Sequence, residues 1–218
     1  MFSAEEDYLK LIYELSLEQD TQFVKSSTLA KTFDYTMQSV NEMIKRMASK
    51  GYIEYVPYKG ITLTETGKKE ALRMIRAHRV WEVFLAEKLG LPWEALHEEA
   101  EKLEHVTSEE VLERLYIYLD QPKTCMHGNP IPNHEGVVHT KKDSSLWNSK
   151  KGQTFILKRV KDDKALLSYL NEIPLSLNDQ VKIDQKDEFG GIVYIRKADK
   201  IHAITKKIAL MIFGLHQA

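Results

Sequence analysis

The sequence has little cysteine and no long apolar run. Among its 218 residues there is one cysteine, Cys125, so no internal disulfide framework exists and a reducing compartment is favoured. Residues 208–215 form the longest apolar stretch, far short of the ~20 residues of a membrane-spanning helix. Residues 1–10 lack the basic and apolar regions of a signal peptide. We therefore expect a cytoplasmic protein without a membrane partner.

Net charge is also small, at −1, but the charges are unevenly distributed. Residues 21–77 carry ten Lys and Arg against five Asp and Glu, whereas residues 78–121 carry four against eleven. A basic segment beside an acidic one is typical of a nucleic-acid-reading unit next to a cation-binding unit. Random patchiness of the surface is the alternative at this point.

The N-terminal part of the chain has the pattern of a winged helix-turn-helix. Apolar spacing predicts helices over residues 4–17, 27–33 and 36–50, and two short strands around a turn at 58–60. Ser3 and Glu6 have the spacing of a capping box at the start of the first helix. In a winged helix the third helix enters the major groove of DNA and the hairpin tip touches the backbone.

The exposed face of the third predicted helix, with neighbouring lysines, carries groups suited to base edges and phosphates. The predicted DNA-contacting residues are Lys25, Thr36, Gln38, Ser39, Asn41, Glu42, Lys45, Arg46 and Lys59. Because winged helices also mediate protein contacts, a small packing module is the alternative interpretation.

Two further regions follow. Helical spacing continues over residues 66–89, 93–105 and 108–119, with more apolar side chains than one small helical unit needs inside. The surplus, which includes Trp81, Phe84, Leu85 and Leu112, favours a homodimer, and a dimer would match a palindromic operator. Short strands and tight turns from residue 155 predict a small β-barrel. We predict a mainly α protein with small β parts and domains at 1–72, 73–140 and 141–218.

A histidine- and glutamate-rich helix face is the strongest chemical signal. At helical spacing, four potential ligands share a face about 100° wide: His97, Glu101, Glu104 and His105. Two imidazoles and two carboxylates are costly to bury without a cation among them, and this combination suits Mn, Fe or Zn. A solvated acidic face is the alternative.

Two weaker signals accompany that face. His78 and Glu82 stand at i, i+4 on the preceding predicted helix, where a solvated surface is the favoured interpretation if the pair is taken alone. Cys125 and His127, two residues apart in a loop rich in proline and glycine, have the means to coordinate one ion. Side chains this close in sequence rarely suit Cys/His catalysis, and we expect no enzymatic activity.

Together these motifs resemble the diphtheria-toxin-repressor family of metal-dependent transcriptional repressors. The order is a winged helix, then His78-Arg-Val-Trp-Glu82, His97-Glu-Glu-Ala-Glu-Lys-Leu-Glu-His105, and Cys125-Met-His127-Gly-Asn-Pro-Ile-Pro. The similarity covers nearly the whole chain and is greatest to the manganese-responsive branch of Gram-positive bacteria. The last domain is similar to the FeoA-like, Src-homology-3-like barrel of three-domain members.

The resemblance implies two metal sites. The primary site would comprise Asp7, Glu101, Glu104 and His105. The second would comprise His78, Glu82, Cys125 and His127, with Asp162 from the barrel domain. His97 aligns with a ligand of iron-type members. The hard ligands Asp7 and Glu101 favour Mn²⁺, with Fe²⁺, Zn²⁺ or Cd²⁺ as substitutes. Lys10 stands where two-domain manganese regulators have a carboxylate, so a closely paired second ion is not expected.

The implied function is metal-dependent repression of manganese or iron uptake genes by a homodimer on palindromic double-stranded DNA. Asp7 lies on the first helix of the DNA-binding domain. A metal that joins it to the dimerisation helices would therefore fix the orientation of the winged helices for operator binding. Two alternatives are a winged-helix regulator that responds to a small molecule and a metal-dependent hydrolase. The sequence shows no general base for the hydrolase beyond the ligands themselves.

Overall fold

The computed structural model describes residues 3–138, 143–173 and 175–217, and the predicted domain boundary at 140/141 lies outside them. The chain divides into two compact units. One takes in the chain up to His78 together with Lys102–Ser108 and Pro132–Val137. The other takes in Arg79–Glu101, Glu109–Ile131 and the chain from Val138 onward.

The first unit contains the predicted winged helix-turn-helix. Its elements are α1 (Ser3–Glu18), α2 (Ser26–Phe33), α3 (Met37–Ser49), β1 (Ile53–Val56) and β2 (Gly60–Leu63). The two strands are antiparallel, with Ile53 opposite Leu63, and Val24 adds a bridge to Ile61. The helices begin and end within about two residues of their predicted bounds, because the apolar spacing that predicts them also supplies the buried face.

Local chemistry explains where these helices begin and end. Asp34 closes α2 in the left-handed conformation (φ 55°), and the Thr36 side chain caps α3 by accepting from the Ser39 N–H at 3.2 Å. The first turn of the next helix lies against Tyr52, where a Cβ on Gly67 would be 1.9 Å from the Tyr52 carbonyl oxygen. Only glycine allows that approach.

Three more helices follow: α4 (Glu65–Glu87), α5 (Leu96–Glu104), which a 3-10 turn at Trp93–Ala95 precedes, and α6 (Glu109–Tyr118). Of the apolar residues predicted to face a second copy, Leu85 and Leu112 are buried within the chain itself. Trp81 and Phe84 are half-buried and contact each other edge to face. Part of the apolar surplus therefore serves the core of the single chain.

The C-terminal part of the second unit is a six-stranded antiparallel sheet in the order β3-β8-β4-β5-β6-β7. Its elements are β3 (Ser144–Ser145), β4 (Thr154–Val160), α7 (Lys164–Glu172), β5 (Gln180–Asp187), β6 (Ile192–Lys197), β7 (Lys200–Thr205), α8 (Lys206–Ala209) and β8 (Ile212–Gln217). Phe155, Leu167, Ile183 and Ile195 are among the side chains of its core. Among the described residues, no helix is both long and apolar enough to cross a membrane.

Candidate metal centres

The first group of potential metal ligands joins α1 to the end of α5. We call Asp7, Glu104 and His105 the α1 cluster; one ligand atom of each lies within 4.8 Å of the others. His105 Nε2 is 3.0 Å from Asp7 Oδ1 and 3.8 Å from Glu104 Oε1. Glu104 is buried, whereas the Asp7 side chain is 38% exposed, so the cluster is accessible from solvent.

Glu101, the fourth predicted primary ligand, lies one turn before the end of α5. Its carboxylate is 3.5 Å from His97 Nε2, and His97 Nδ1 is 2.6 Å from Asp162 Oδ2. The structure thus brings three of the four predicted primary residues together in the α1 cluster and places Glu101 beside His97.

Glu6 is a residue of this site that the sequence analysis missed. It was predicted to cap α1, but its buried carboxylate instead accepts from His105 Nδ1 at 2.8 Å and from Arg73 Nη2 at 2.7 Å. Because Nδ1 faces Glu6, Nε2 is the ring nitrogen that faces Asp7. A carboxylate that fixes the tautomer of a histidine in this way is the common outer partner of a metal-binding imidazole.

Lys10 supplies an internal cation behind the α1 cluster. Its buried ammonium donates to both oxygens of Glu104, at 3.0 Å each, and lies 3.1 Å from His78 Nδ1. Burial disfavours the ionised form of Glu104, but the His78 hydrogen bond and the Lys10 charge outweigh it and lower the pKa of that carboxyl. His78, predicted for the second site, is therefore part of the buried network around Glu104.

The second group of potential ligands is buried throughout. We call Glu82, Cys125 and His127 the loop cluster; their ligand atoms also lie within 4.8 Å of one another. His127 Nδ1 is 3.0 Å from Glu82 Oε1 and 3.8 Å from Asp162 Oδ1. Four of the five residues predicted for the second site therefore converge.

Backbone hydrogen bonds hold the loop cluster in place. The loop closes on itself through a 2.9 Å bond from the Cys125 N–H to the Asn129 carbonyl. It is fixed to β4 by the Val160 N–H, which donates to the His127 carbonyl at 2.9 Å, and by the Asn129 amide, which donates to the Val160 carbonyl at 3.2 Å. His127 Nε2 lies 3.3 Å from the Trp93 carbonyl, so Nδ1 is the nitrogen that faces Glu82.

The electrostatics of the loop cluster favour a cation. Burial, reinforced by the charge of Glu82, raises the pKa of the Cys125 thiol well above its ordinary value. Burial opposes protonation of His127, but Glu82 and then Asp162 raise the pKa of that imidazole. Buried carboxylates beside a thiol are costly unless positive charge lies among them. The donor set of sulfur, nitrogen and oxygen fits a softer divalent ion, whereas the oxygen and nitrogen donors of the α1 cluster fit Mn²⁺.

The residues predicted to contact DNA lie on exposed parts of the winged helix. Their exposed members on α3 and at its start are Thr36, Gln38, Ser39, Asn41, Glu42, Lys45 and Arg46. Gln38 donates to Glu42 at 3.2 Å, and Arg46 Nε is 3.0 Å from Glu5. Lys25 donates to the carbonyls of Tyr58 and Lys59, at 3.1 and 2.9 Å, so it supports the hairpin tip.

Three family models match successive parts of the chain. The iron dependent repressor N-terminal DNA binding domain matches residues 1–61, the iron dependent repressor metal binding and dimerisation domain matches residues 64–133, and the FeoA domain matches residues 145–214. The fold and the two clusters therefore define a winged-helix protein with a metal-binding helical region and a FeoA domain.

Proteins of similar sequence include transcriptional regulators and metal-dependent repressors. An uncharacterised helix-turn-helix-type transcriptional regulator of Methanocaldococcus jannaschii is 42% identical over 118 residues, which cover 54% of this chain and 94% of the relative. The iron-dependent repressor IdeR of Mycobacterium tuberculosis is 38% identical over 127 residues, which cover 58% of this chain. That match spans 54% of the mycobacterial protein, about half of its length.

Solved structures match over nearly the whole chain. A manganese-dependent transcriptional repressor in complex with manganese has a TM-score of 0.87 and 30% identity, covering 97% of this chain and 99% of that one. The manganese regulator SloR has a TM-score of 0.85 and 33% identity, covering 98% of each. ScaR with bound Cd²⁺ has a TM-score of 0.87 and 32% identity, covering 97% and 98%. The chain belongs to the diphtheria-toxin-repressor family of iron- and manganese-dependent transcriptional repressors.

Proposed function

We propose that this protein is a Mn²⁺-activated, DNA-binding repressor of manganese or iron uptake genes, and that it acts in the cytoplasm. One observation carries the proposal: Asp7, on the first helix of the winged helix-turn-helix, meets Glu104 and His105 in the α1 cluster. Tyr8, Leu9 and Ile12 of the same helix lie in the core of the DNA-binding module. Whatever fixes Asp7 therefore also fixes that module.

The mechanism follows from the charges of the α1 cluster. Two carboxylates face one imidazole there, and Lys10 already neutralises part of the charge of Glu104. A divalent cation held by Asp7, Glu104 and His105 would supply the positive charge that offsets the repulsion between the two carboxylates. Asp7, held in this way, would restrain α1 and increase the fraction of molecules whose winged helix is posed for DNA. By linkage, DNA must favour metal binding to the same extent.

The donor sets support a division between metals. Asp7, Glu104 and His105, with Glu101 as a predicted fourth ligand, favour Mn²⁺. Glu82, Cys125, His127 and Asp162 would hold Fe²⁺, Zn²⁺ or Cd²⁺ as well, because a thiol prefers softer ions. Similar solved structures are described as complexes with manganese, Cd²⁺ or Zn²⁺, so relatives of this chain hold both harder and softer ions.

A homodimer on a palindromic operator is the assembly that we propose. The matched dimerisation domain supports it. So does the surface of α6, where Val111 and Tyr118 are exposed at helical spacing and Leu115 between them is half-buried. A two-fold dimer presents two recognition helices to two half-sites of DNA.

Metal-dependent DNA binding tests the proposal. A fluorescent duplex is first enriched from a randomised pool with Mn²⁺-loaded protein. Anisotropy is then measured at fixed salt with Mn²⁺, Fe²⁺, Zn²⁺, Ca²⁺ or chelator, since phosphate contacts make affinity depend steeply on salt. We expect binding to be stimulated most by Mn²⁺. Tight binding that neither metal nor chelator changes would favour a regulator that responds to a small molecule instead.

A further inference from the structure

The first turn of α1 carries a buried carboxylate that the metal site does not use. Glu5 is fully buried, and its Oε1 lies 2.7 Å from Lys50 Nζ and 3.0 Å from Arg46 Nε. Arg46 belongs to the last turn of α3 and Lys50 is its C-terminal capping residue. One buried anion thus holds two cations at the end of the recognition helix.

We infer that Glu5 is a positioning residue that couples the metal-bearing turn of α1 to the recognition helix α3. The inference rests on the proposed function, because it concerns how metal binding reaches DNA. Glu5, Glu6 and Asp7 are consecutive: Glu5 contacts Arg46 of α3, Glu6 contacts His105, and Asp7 is a member of the α1 cluster. A shift of this turn when Asp7 is restrained is therefore passed to α3 through Glu5.

The burial of Glu5 makes this link stiff. Separating a buried carboxylate from its cations leaves an uncompensated charge, which is strongly unfavourable. The end of α3 therefore moves with α1, because the separation of Arg46 and Lys50 from Glu5 would leave a buried carboxylate without a counter-charge.

The same interaction also controls two charges at the predicted DNA face: Arg46 belongs to that face and Lys50 follows it in the chain. The Arg46 and Lys50 side chains are 47% and 39% exposed, so both remain within reach of solvent while they contact Glu5. Glu5 thereby withholds two cations from the phosphates of any bound DNA. Each additional phosphate that the protein neutralises would steepen the slope of log K against log salt by about 0.9.

Glu5→Gln tests the inference in the full-length protein, because it preserves volume and removes the charge. Binding to the enriched duplex is measured at several salt concentrations with Mn²⁺ and with chelator. We expect stronger metal-free binding, a salt slope steeper by the equivalent of about one to two phosphates, and a ratio of Mn²⁺-stimulated to metal-free affinity reduced at least about fivefold. A merely structural role would weaken binding in both states and leave the slope unchanged.

One further measurement and one control variant accompany the Glu5→Gln experiment. Mn²⁺ affinity, from the electron paramagnetic resonance signal of free Mn²⁺, should stay within about twofold of wild type, because Glu5 is outside the α1 cluster. Glu14→Gln is the matched control, since it removes the same charge from the same helix. If Glu5→Gln matches Glu14→Gln in ratio and slope, the inference is overturned.

A second variant, Lys50→Met, leaves Glu5 in place and therefore keeps the test decisive if Glu5→Gln folds poorly. Lys50→Met alone should leave the salt slope nearly unchanged, because Glu5 already holds that ammonium. Combined with Glu5→Gln, it should reduce the slope by the equivalent of about one phosphate. A slope that Lys50→Met reduces in the wild-type background overturns the assignment. Wild-type protein without metal-stimulated binding overturns the proposed function as well, whereas normal stimulation in both wild type and Glu5→Gln overturns only the role of Glu5.

Discussion

The α1 cluster and the loop cluster differ in access, in donor chemistry and in how the chain holds them. The α1 cluster has oxygen and nitrogen donors, a solvent-accessible Asp7 and an ammonium, that of Lys10, bonded to Glu104. The loop cluster includes a thiol, is buried throughout, and is fixed to β4 by hydrogen bonds at His127 and Asn129. The same chain therefore holds one accessible group whose negative charge is partly balanced by Lys10 and one pre-ordered, buried group.

This difference between the two clusters indicates which of them suits metal sensing. An accessible cluster with hard donors and a competing internal cation favours moderate, reversible binding, because the metal must act against the Lys10 charge. A buried cluster with a thiol ligand favours tight retention, because its ligands are already in place and lose little freedom on binding. We therefore expect changes in the α1 cluster to alter DNA binding, and changes in the loop cluster to alter metal choice and local stability.

Asp7→Ala should have the largest effect, because it removes the only ligand of the α1 cluster that lies on the winged helix. The Mn²⁺ concentration for half-maximal DNA binding should rise at least about 100-fold, beyond the effect of losing an outer partner of a ligand. Anisotropy with the enriched duplex measures it, and metal-free binding should stay at the wild-type level. Unchanged Mn²⁺ stimulation in this variant would show that α1 is not restrained through Asp7.

Cys125→Ser should separate the two clusters by metal. We expect Cd²⁺ affinity to fall at least about tenfold and the ultraviolet thiolate-to-cadmium charge-transfer band to disappear, because a hydroxyl is a far poorer ligand for a soft ion. Half-maximal Mn²⁺ activation should shift by less than about threefold. The comparison fails if Mn²⁺ activation is lost along with the cadmium band.

Lys10→Met should change metal affinity and stability in opposite directions. Removing a buried ammonium from Glu104 and His78 should destabilise the metal-free protein by about 3 kcal/mol, the order expected when a buried ion pair is broken. Mn²⁺ affinity should rise about tenfold, because a positive charge beside the cation is gone.

Thermal unfolding with chelator and a Mn²⁺ titration measure the two effects of Lys10→Met. Lys31→Met, at an exposed position on α2, is the matched control. If affinity and stability fall together, Lys10 supports the cluster and does not oppose the metal.

Periodicity was enough to predict most of the fold. The apolar spacing of α1 and α3 is a local signal, and the structure agrees with it. The pairing of β4 with β8 joins segments that are far apart in the sequence, and no local pattern encodes which strands become neighbours.

The site was predictable where its ligands share one helix or one loop. Spacing and the family resemblance together indicated Glu104, His105, Cys125 and His127. Spacing could not indicate the partners of those residues, because Lys10 reaches Glu104 across 94 positions and Glu6 reaches His105 across 99. Glu6 had a local interpretation as a capping residue, and the tertiary contact prevailed because it satisfies a buried histidine and a guanidinium.

Asn129→Ala should have the smallest effect and tests whether the loop cluster is pre-ordered. The variant removes one hydrogen bond between the loop and the Val160 carbonyl, which contributes about 1 kcal/mol to stability. Cd²⁺ affinity should fall by about tenfold at most, the lower end of the range for groups that support metal ligands, and Mn²⁺ activation should not change. Asn148→Ala, at an exposed position in the same unit, is the control. Loss of Cd²⁺ affinity no greater than that of Asn148→Ala would mean that the backbone bond between Val160 and His127 suffices to hold the loop.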